Sequence, residues 1–281
     1  MFILIPALLR DSESEHRLLR TLSRFPSGVP ATLVLVTQGN RIAVSAGRGI
    51  SAVIHEHFDD AIGKWTAIRY GLSRIPRSAD APVLLLDADD PITDASVETM
   101  FAMLQADRNA FVIGDRNTIL LHADDQLSPQ TRAFVEIFSN TLLLLTLRSR
   151  RSIPLVGPDI QSGAYVLSGA ARRALSLEYI GDYGGELALY HELVTAGFEP
   201  AVVEIEPNKT NPSSYSVDKI VGSIAALPFF RSASPERMLE AVNLSPRIYG
   251  RFLRQSAVDQ FRLELSRVLR GAFPEFSMEP G

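Results

Sequence analysis

Two aspartates, Asp87 and Asp89, follow directly on an apolar stretch in the run 84–90, Leu-Leu-Leu-Asp-Ala-Asp-Asp. In extended chain, residues two apart point to the same side, so both carboxylates face one place. Carboxylates that close repel unless a proton or a cation lies between them. A hard divalent ion such as Mg²⁺ or Mn²⁺ suits them, since it takes oxygen ligands and leaves positions open for substrate phosphates. Asp87 and Asp89 are therefore the candidate metal ligands; the ordinary alternative is an acidic turn in which Asp90-Pro91 starts the next helix. A second signal is Gly63-Lys64, placed to open a helix. The helix dipole disfavours a cation at that end, whereas free amides together with an ammonium suit a phosphate or nucleotide. Its ordinary alternative is a solvated surface lysine.

Other chemistry is poorly supplied. With no cysteine, thiolate metal sites, disulfides and cysteine nucleophiles are excluded. His55 and His57 stand two apart on an expected strand without a third ligand nearby, which argues against zinc. His191 reads as a surface or packing residue within a helix. Trp65, the single tryptophan, follows Lys64 and reads as a core residue of that helix or a wall beside a nucleotide.

The elements around these residues follow from apolar runs and their breaks. Residues 2–8 (FILIPAL), 31–37 (ATLVLVT) and 81–86 (APVLLL) have the near-continuous hydrophobicity of strands buried on both faces. Shorter strands are predicted at 51–55, 110–114, 163–167 and 201–205, and helices at 12–23, 63–72, 93–106, 129–148, 169–177 and 186–196. Ser128 is the expected cap of the 129–148 helix, and Gly197 ends the last of them. Residues 208–215 (NKTNPSSY) read as a loop, and the pattern is helical again from Pro235. The order β-α-β-α-β-α-β implies a mostly parallel sheet with helices on both faces. Ligands of such sheets bind outside the carboxyl ends of the strands, which is where Asp87 falls.

The 281 residues suit one α/β domain with a helical annex: 1–230 as the main unit, with halves at 1–115 and 116–230, and 231–281 as an extension. The apolar fraction of 46% and charged fraction of 21% are those of an ordinary folded domain. A formal charge of −4 lacks the basic excess of a nucleic-acid binder, so no nucleic-acid partner is expected. The apolar run 142–147 is far below the roughly 18–20 residues of a membrane span, and the start lacks the pattern of a signal peptide. The expected protein is cytoplasmic. The C-terminal arginines (Arg247, Arg251, Arg254, Arg262, Arg267, Arg270) alternate with apolar residues, as in a helical cap with a solvated face that could also pair two subunits.

Taken in order, Ile3-Leu4-Ile5-Pro6-Ala7-Leu8, residues 34–39, Gly63-Lys64-x-x-Ala67-x-x-x-Gly71-Leu72 and Leu84-Leu85-Leu86-Asp87-Ala88-Asp89 resemble the nucleotide-sugar half of GT-A-fold glycosyltransferases of the family-2-like group. The resemblance covers about residues 1–115 and continues more weakly to 206. It implies a GT-A (Rossmann-like) fold and transfer of a sugar from a nucleotide-diphosphate sugar to an acceptor hydroxyl. It further implies that Pro6, Ala7, Leu8, Gln38 and Gly39 line the nucleoside pocket and that Lys64 lies near the nucleotide. Asp87 and Asp89 would hold the diphosphate through Mg²⁺ or Mn²⁺, with Ala88 between them in the nucleotide-sugar site and Gly163 beside the donor sugar. The segment Gly181-Asp182-Tyr183-Gly184-Gly185-Glu186-Leu187 aligns with the place where inverting members carry a catalytic carboxylate, making Glu186 the candidate base and Asp182 the runner-up. The ordinary reading of Glu186 is a first-turn acid that stabilises its helix.

Residues 143–211 are also similar to retaining transferases of the glucosyl-3-phosphoglycerate synthase type. Those enzymes carry a histidine metal ligand in the loop that here reads Asn208-Lys209-Thr210-Asn211, and a basic residue where this chain has Ser168. Two other functions remain open: a degenerate scaffold that binds nucleotide or partner without turnover, and a sugar-nucleotide nucleotidyltransferase. The latter would carry a Gly-rich basic loop where this chain has Leu8-Leu9-Arg10-Asp11-Ser12.

Overall fold

The computed structural model describes residues 1–23, 30–44, 49–88, 92–107, 110–115, 127–148, 158–176, 184–205 and 227–249, with a few helical positions between 259 and 271. Strands β1 (Phe2–Leu9), β2 (Ala31–Gly39), β3 (Ile50–Phe58), β4 (Val83–Leu86), β5 (Ala110–Asp115), β6 (Ala164–Leu167) and β7 (Glu199–Glu204) form one seven-stranded sheet in the order β3-β2-β1-β4-β6-β5-β7. Only β6 runs against its neighbours β4 and β5; the other pairings are parallel. The expected α/β class, a mostly parallel sheet flanked by helices, is the one observed.

Strict alternation explains why the central strands are apolar throughout. Leu4, Val83, Leu85, Tyr165 and Leu167 face one core, while Ile3, Ile5, Leu84, Leu86 and Val166 face the other. Helices α1 (Ser12–Ser23) and α3 (Asp94–Ala106) cover the second face through Leu18, Leu22, Val97, Met100 and Leu104. The first face is covered by α2 (Lys64–Arg74), α4 (Leu127–Arg148), α5 (Gly169–Ala174), α6 (Gly185–Ala196), α7 (Pro228–Arg231) and α8 (Pro235–Tyr249).

The leucines of α4 are spent in this core: Leu142 and Leu143 are fully buried. Helix α8 packs on α4 through Met238, Ala241 and Val242, and Arg237 donates to the Leu145 carbonyl (2.7 Å), one of the last carbonyls of α4. No helix of the described residues is long and apolar enough to cross a membrane.

Several boundaries differ from the sequence expectation for physical reasons. Strand β3 extends to Phe58 although His55, Glu56 and His57 are polar, because it is an edge strand and half-exposed. Helix α4 begins at Leu127, so Ser128 lies inside it rather than capping it. Pro129 then falls in the first turn, where an amide hydrogen has no helical partner to lose. Helix α5 stops at Ala174 rather than 177. Arg172 there turns back to donate to the carbonyls of Pro76 (3.0 Å) and Ala79 (3.0 Å), and the chain becomes extended at Leu175.

Candidate functional site

Three elements deliver charge to one cleft. Strand β4 ends at Leu86, so Asp87 is the first residue past the carboxyl edge of the sheet. Antiparallel β6 pairs with β4 in the register Leu86↔Ala164, which lays Gly163 against Asp87; the Asp87 amide donates to the Gly163 carbonyl (3.2 Å). Gly163 has φ +73°, and a Cβ there would lie 2.5 Å from Asp87 Cγ, so this approach depends on glycine.

Lys64 opens α2, held in place by the chain just before it. Gln38, buried at the end of β2, accepts from the amides of Ile62 (2.7 Å) and Gly63 (3.0 Å) through its side-chain oxygen. Gln38, expected in a nucleoside pocket, thus fixes the entry of α2. Its replacement by alanine strands two half-buried amides and should lower stability by about 1–3 kcal/mol, read from the denaturant midpoint.

Glu186 arrives on the first turn of α6. Gly184 (φ +83°) makes the left-handed turn into that helix, and Gly185 sits on the Trp65 ring, where a Cβ would be 2.5 Å from Cδ2. The two residues that touch, Trp65 and Gly185, each stand next in sequence to one member of an ion pair. The Lys64 ammonium bridges Asp87 Oδ1 (2.7 Å) and Glu186 Oε1. Burial pulls the Lys64 pKa down. The Asp87 and Glu186 charges and their hydrogen bonds outweigh it and hold the group above its ordinary value.

The cleft around this bridge is bordered by Pro6 on β1, by Gly163, and by Trp65, Tyr165 and Leu189. Lys64, Asp87 and Glu186 are its charged lining residues among those described. Neither α2 nor α6 has a side-chain cap at its N-terminus. Both therefore present first-turn amides and the positive end of a dipole near the bridge, a setting suited to an anion.

Of the expected site residues, Pro6, Lys64, Asp87, Gly163 and Glu186 share this cleft. Ala7 is buried in the second core, Leu8 is half-buried at the end of β1, and Gly39 (φ +85°) packs its Cα against the Leu9 carbonyl. Half-buried Ala88 accepts from the Thr21 hydroxyl (2.8 Å). Asp89, Asp90 and Asp182, like the loop 208–215, lie outside the described residues. Among the described residues no group of three or more His, Asp and Glu is arranged to hold a metal ion.

Trp65 is a core residue, 2% exposed. His191 stacks on Phe229 at a centroid distance of 5.8 Å, a packing role. His55 and His57 share the Thr37 hydroxyl, each at 2.9 Å, on the far edge of the sheet. Ser168 caps α5, accepting from the Ala171 amide (3.0 Å). Reading the sequence missed Leu189 as a wall of the cleft and the pairing of Lys64 with Glu186. Those two lie 122 residues apart, and no spacing rule connects them.

No protein-family model matches this chain, and no curated protein does. Among solved structures it is similar to S. aureus TarS residues 1–349, at 12% identity and a TM-score of 0.44 over 96% of this chain and 72% of that one. The same fragment in complex with UDP-GlcNAc gives 11% identity and a TM-score of 0.43 over 96% and 72%. A further S. aureus TarS structure gives 12% and 0.48 over 98% of this chain and 49% of that one, so the chain spans about half its length.

Proposed function

We propose that this chain is a GT-A-type glycosyltransferase that takes a nucleotide-diphosphate sugar as donor and a hydroxyl group as acceptor. One observation carries the reading. Lys64, Asp87 and Glu186, from three separate elements, converge in one cleft at the carboxyl edge of the parallel strands, where ligands of such sheets bind. The ordered resemblance of residues 1–115 to family-2-like transferases supports it from the sequence side.

The residues suit the chemistry. Glu186 accepts the proton of the acceptor hydroxyl, and the acceptor oxygen forms its bond to the anomeric carbon. The bond from that carbon to the diphosphate breaks, and its electron pair leaves with the phosphate oxygen. Lys64 and the uncapped ends of α2 and α6 stand where that negative charge develops. Should transfer retain configuration, Glu186 orients the acceptor rather than deprotonating it.

A hard divalent cation fits the donor chemistry of Asp87, a partly exposed carboxylate at the cleft. Ions of the Mg²⁺ kind are held by one or two carboxylates and substrate phosphates rather than by a full protein cage. Asp87 together with Asp89 would hold it, and when bound it would withdraw charge from the diphosphate.

The reading is tested by melting the protein with UDP, GDP, ADP and dTDP and their sugars, each with Mg²⁺, Mn²⁺ or EDTA. A nucleotide present at about 100 times its Kd should raise the melting temperature by about 5 °C or more. If none of the eight ligands shifts the melt under any condition, the proposal fails.

A further inference from the structure

Resting on the transferase reading, we infer that the Lys64 bridge is a latch which the donor must open, so that one lysine couples donor binding to the freeing of Glu186. The ammonium hydrogen-bonds both carboxylates at once, and it holds Glu186 through Oε1. While that bond is held, an acceptor hydroxyl must compete with the ammonium for the Glu186 carboxylate. Charge then decides what a donor must do. The described lining carries one positive and two negative side chains, so the ammonium is the side chain that a diphosphate must draw to itself.

Lys64 is the cation at hand, and its flexible stem lets the ammonium swing. Two of its three donors are committed in the closed bridge, so a strong grip on phosphate oxygens requires surrender of a carboxylate. The Asp87 carboxylate is fixed in place against Gly163. Glu186 is the partner that the latch releases to the acceptor. In the empty cleft the base is thus tied down; with a diphosphate present it is free to meet an acceptor.

The latch makes Glu186 a competitor of the diphosphate for Lys64, which gives an opposite-signed pair of expectations. Measured by calorimetry in EDTA with UDP, GDP, ADP and dTDP, Glu186→Gln should tighten the nucleotide that wild type binds by roughly three- to tenfold. Its own melting temperature without ligand should fall, since it has lost an ion pair. Lys64→Met should weaken nucleotide binding at least tenfold, and adding Glu186→Gln to Lys64→Met should bring no gain.

A Glu186 that merely supports structure would leave affinity unchanged or weaker on substitution, and either result overturns the latch while the transferase reading stands. So would the same tightening appearing without Lys64. If Glu186→Gln does not fold, Glu186→Asp, one methylene shorter and so drawn back from the ammonium, carries the same expectation of tighter binding in EDTA. Failure of wild type to bind any of the nucleotides in EDTA overturns the latch, and failure with Mg²⁺ and Mn²⁺ as well removes the transferase reading.

Discussion

Replacing Glu186 by glutamine should slow transfer by about 10²–10⁴-fold at saturating donor, the usual worth of a positioned general base. Glutamine keeps the length and shape of the side chain and can still accept a hydrogen bond, but it cannot hold the proton that the acceptor hydroxyl must lose. Turnover should be followed as donor consumption, with water or a hydroxyl acceptor, so that the loss is seen in kcat. Combined with the tighter nucleotide expected of the opened latch, the variant would bind better and react more slowly. Such a split identifies a group used in the transition state rather than in ground-state binding. A loss below tenfold would mean that Glu186 only orients the acceptor, as in retaining transfer. Full activity would leave the chemistry without Glu186 and turn attention to Asp182.

Where the sequence could be read and where it could not follows from how local each signal is. Strands β1, β2 and β4 are legible because burial on both faces demands apolar residues at every position, as in Ile3-Leu4-Ile5. Edge strands are not: β7 carries Glu199 and Glu204 and is half-exposed, so its ends cannot be read from hydrophobicity. Asp87 stood out because its carboxylate follows directly on an apolar strand, a signal contained in a few residues. The antiparallel direction of β6 is invisible in Ala164-Tyr165-Val166-Leu167, since direction is set by connections and not by composition. That direction is what presses Gly163 onto Asp87. The Lys64–Glu186 pair is likewise a product of topology, made when Gly185 seats α6 on Trp65. Chemistry placed on one element can be read from spacing, but chemistry assembled across the sheet needs the fold.

Gly163→Ala should be the most damaging single methyl in the site, because two costs fall on one atom. At φ +73° an L-residue is strained by about 1–2 kcal/mol. The added carbon would also overlap the Asp87 carboxylate, with Cγ only 2.5 Å away. Backbone pairing pins the glycine, since Asp87 donates its amide to the Gly163 carbonyl. The carboxylate is what must move, and with it goes one arm of the Lys64 bridge. Stability should fall by about 2–4 kcal/mol and nucleotide binding should be lost. Gly271→Ala is the control: it lies on a helical position with nothing within 4 Å of the new methyl, and should be neutral or slightly stabilising. Overlap and strain separate in a double variant. With Asp87→Ala the overlap disappears and only the φ cost remains, so Gly163→Ala should then cost about 1–2 kcal/mol. If its cost is unchanged in that background, the methyl is opposed by backbone conformation alone, and the tight seat of Asp87 beneath Gly163 does not hold the bridge in place.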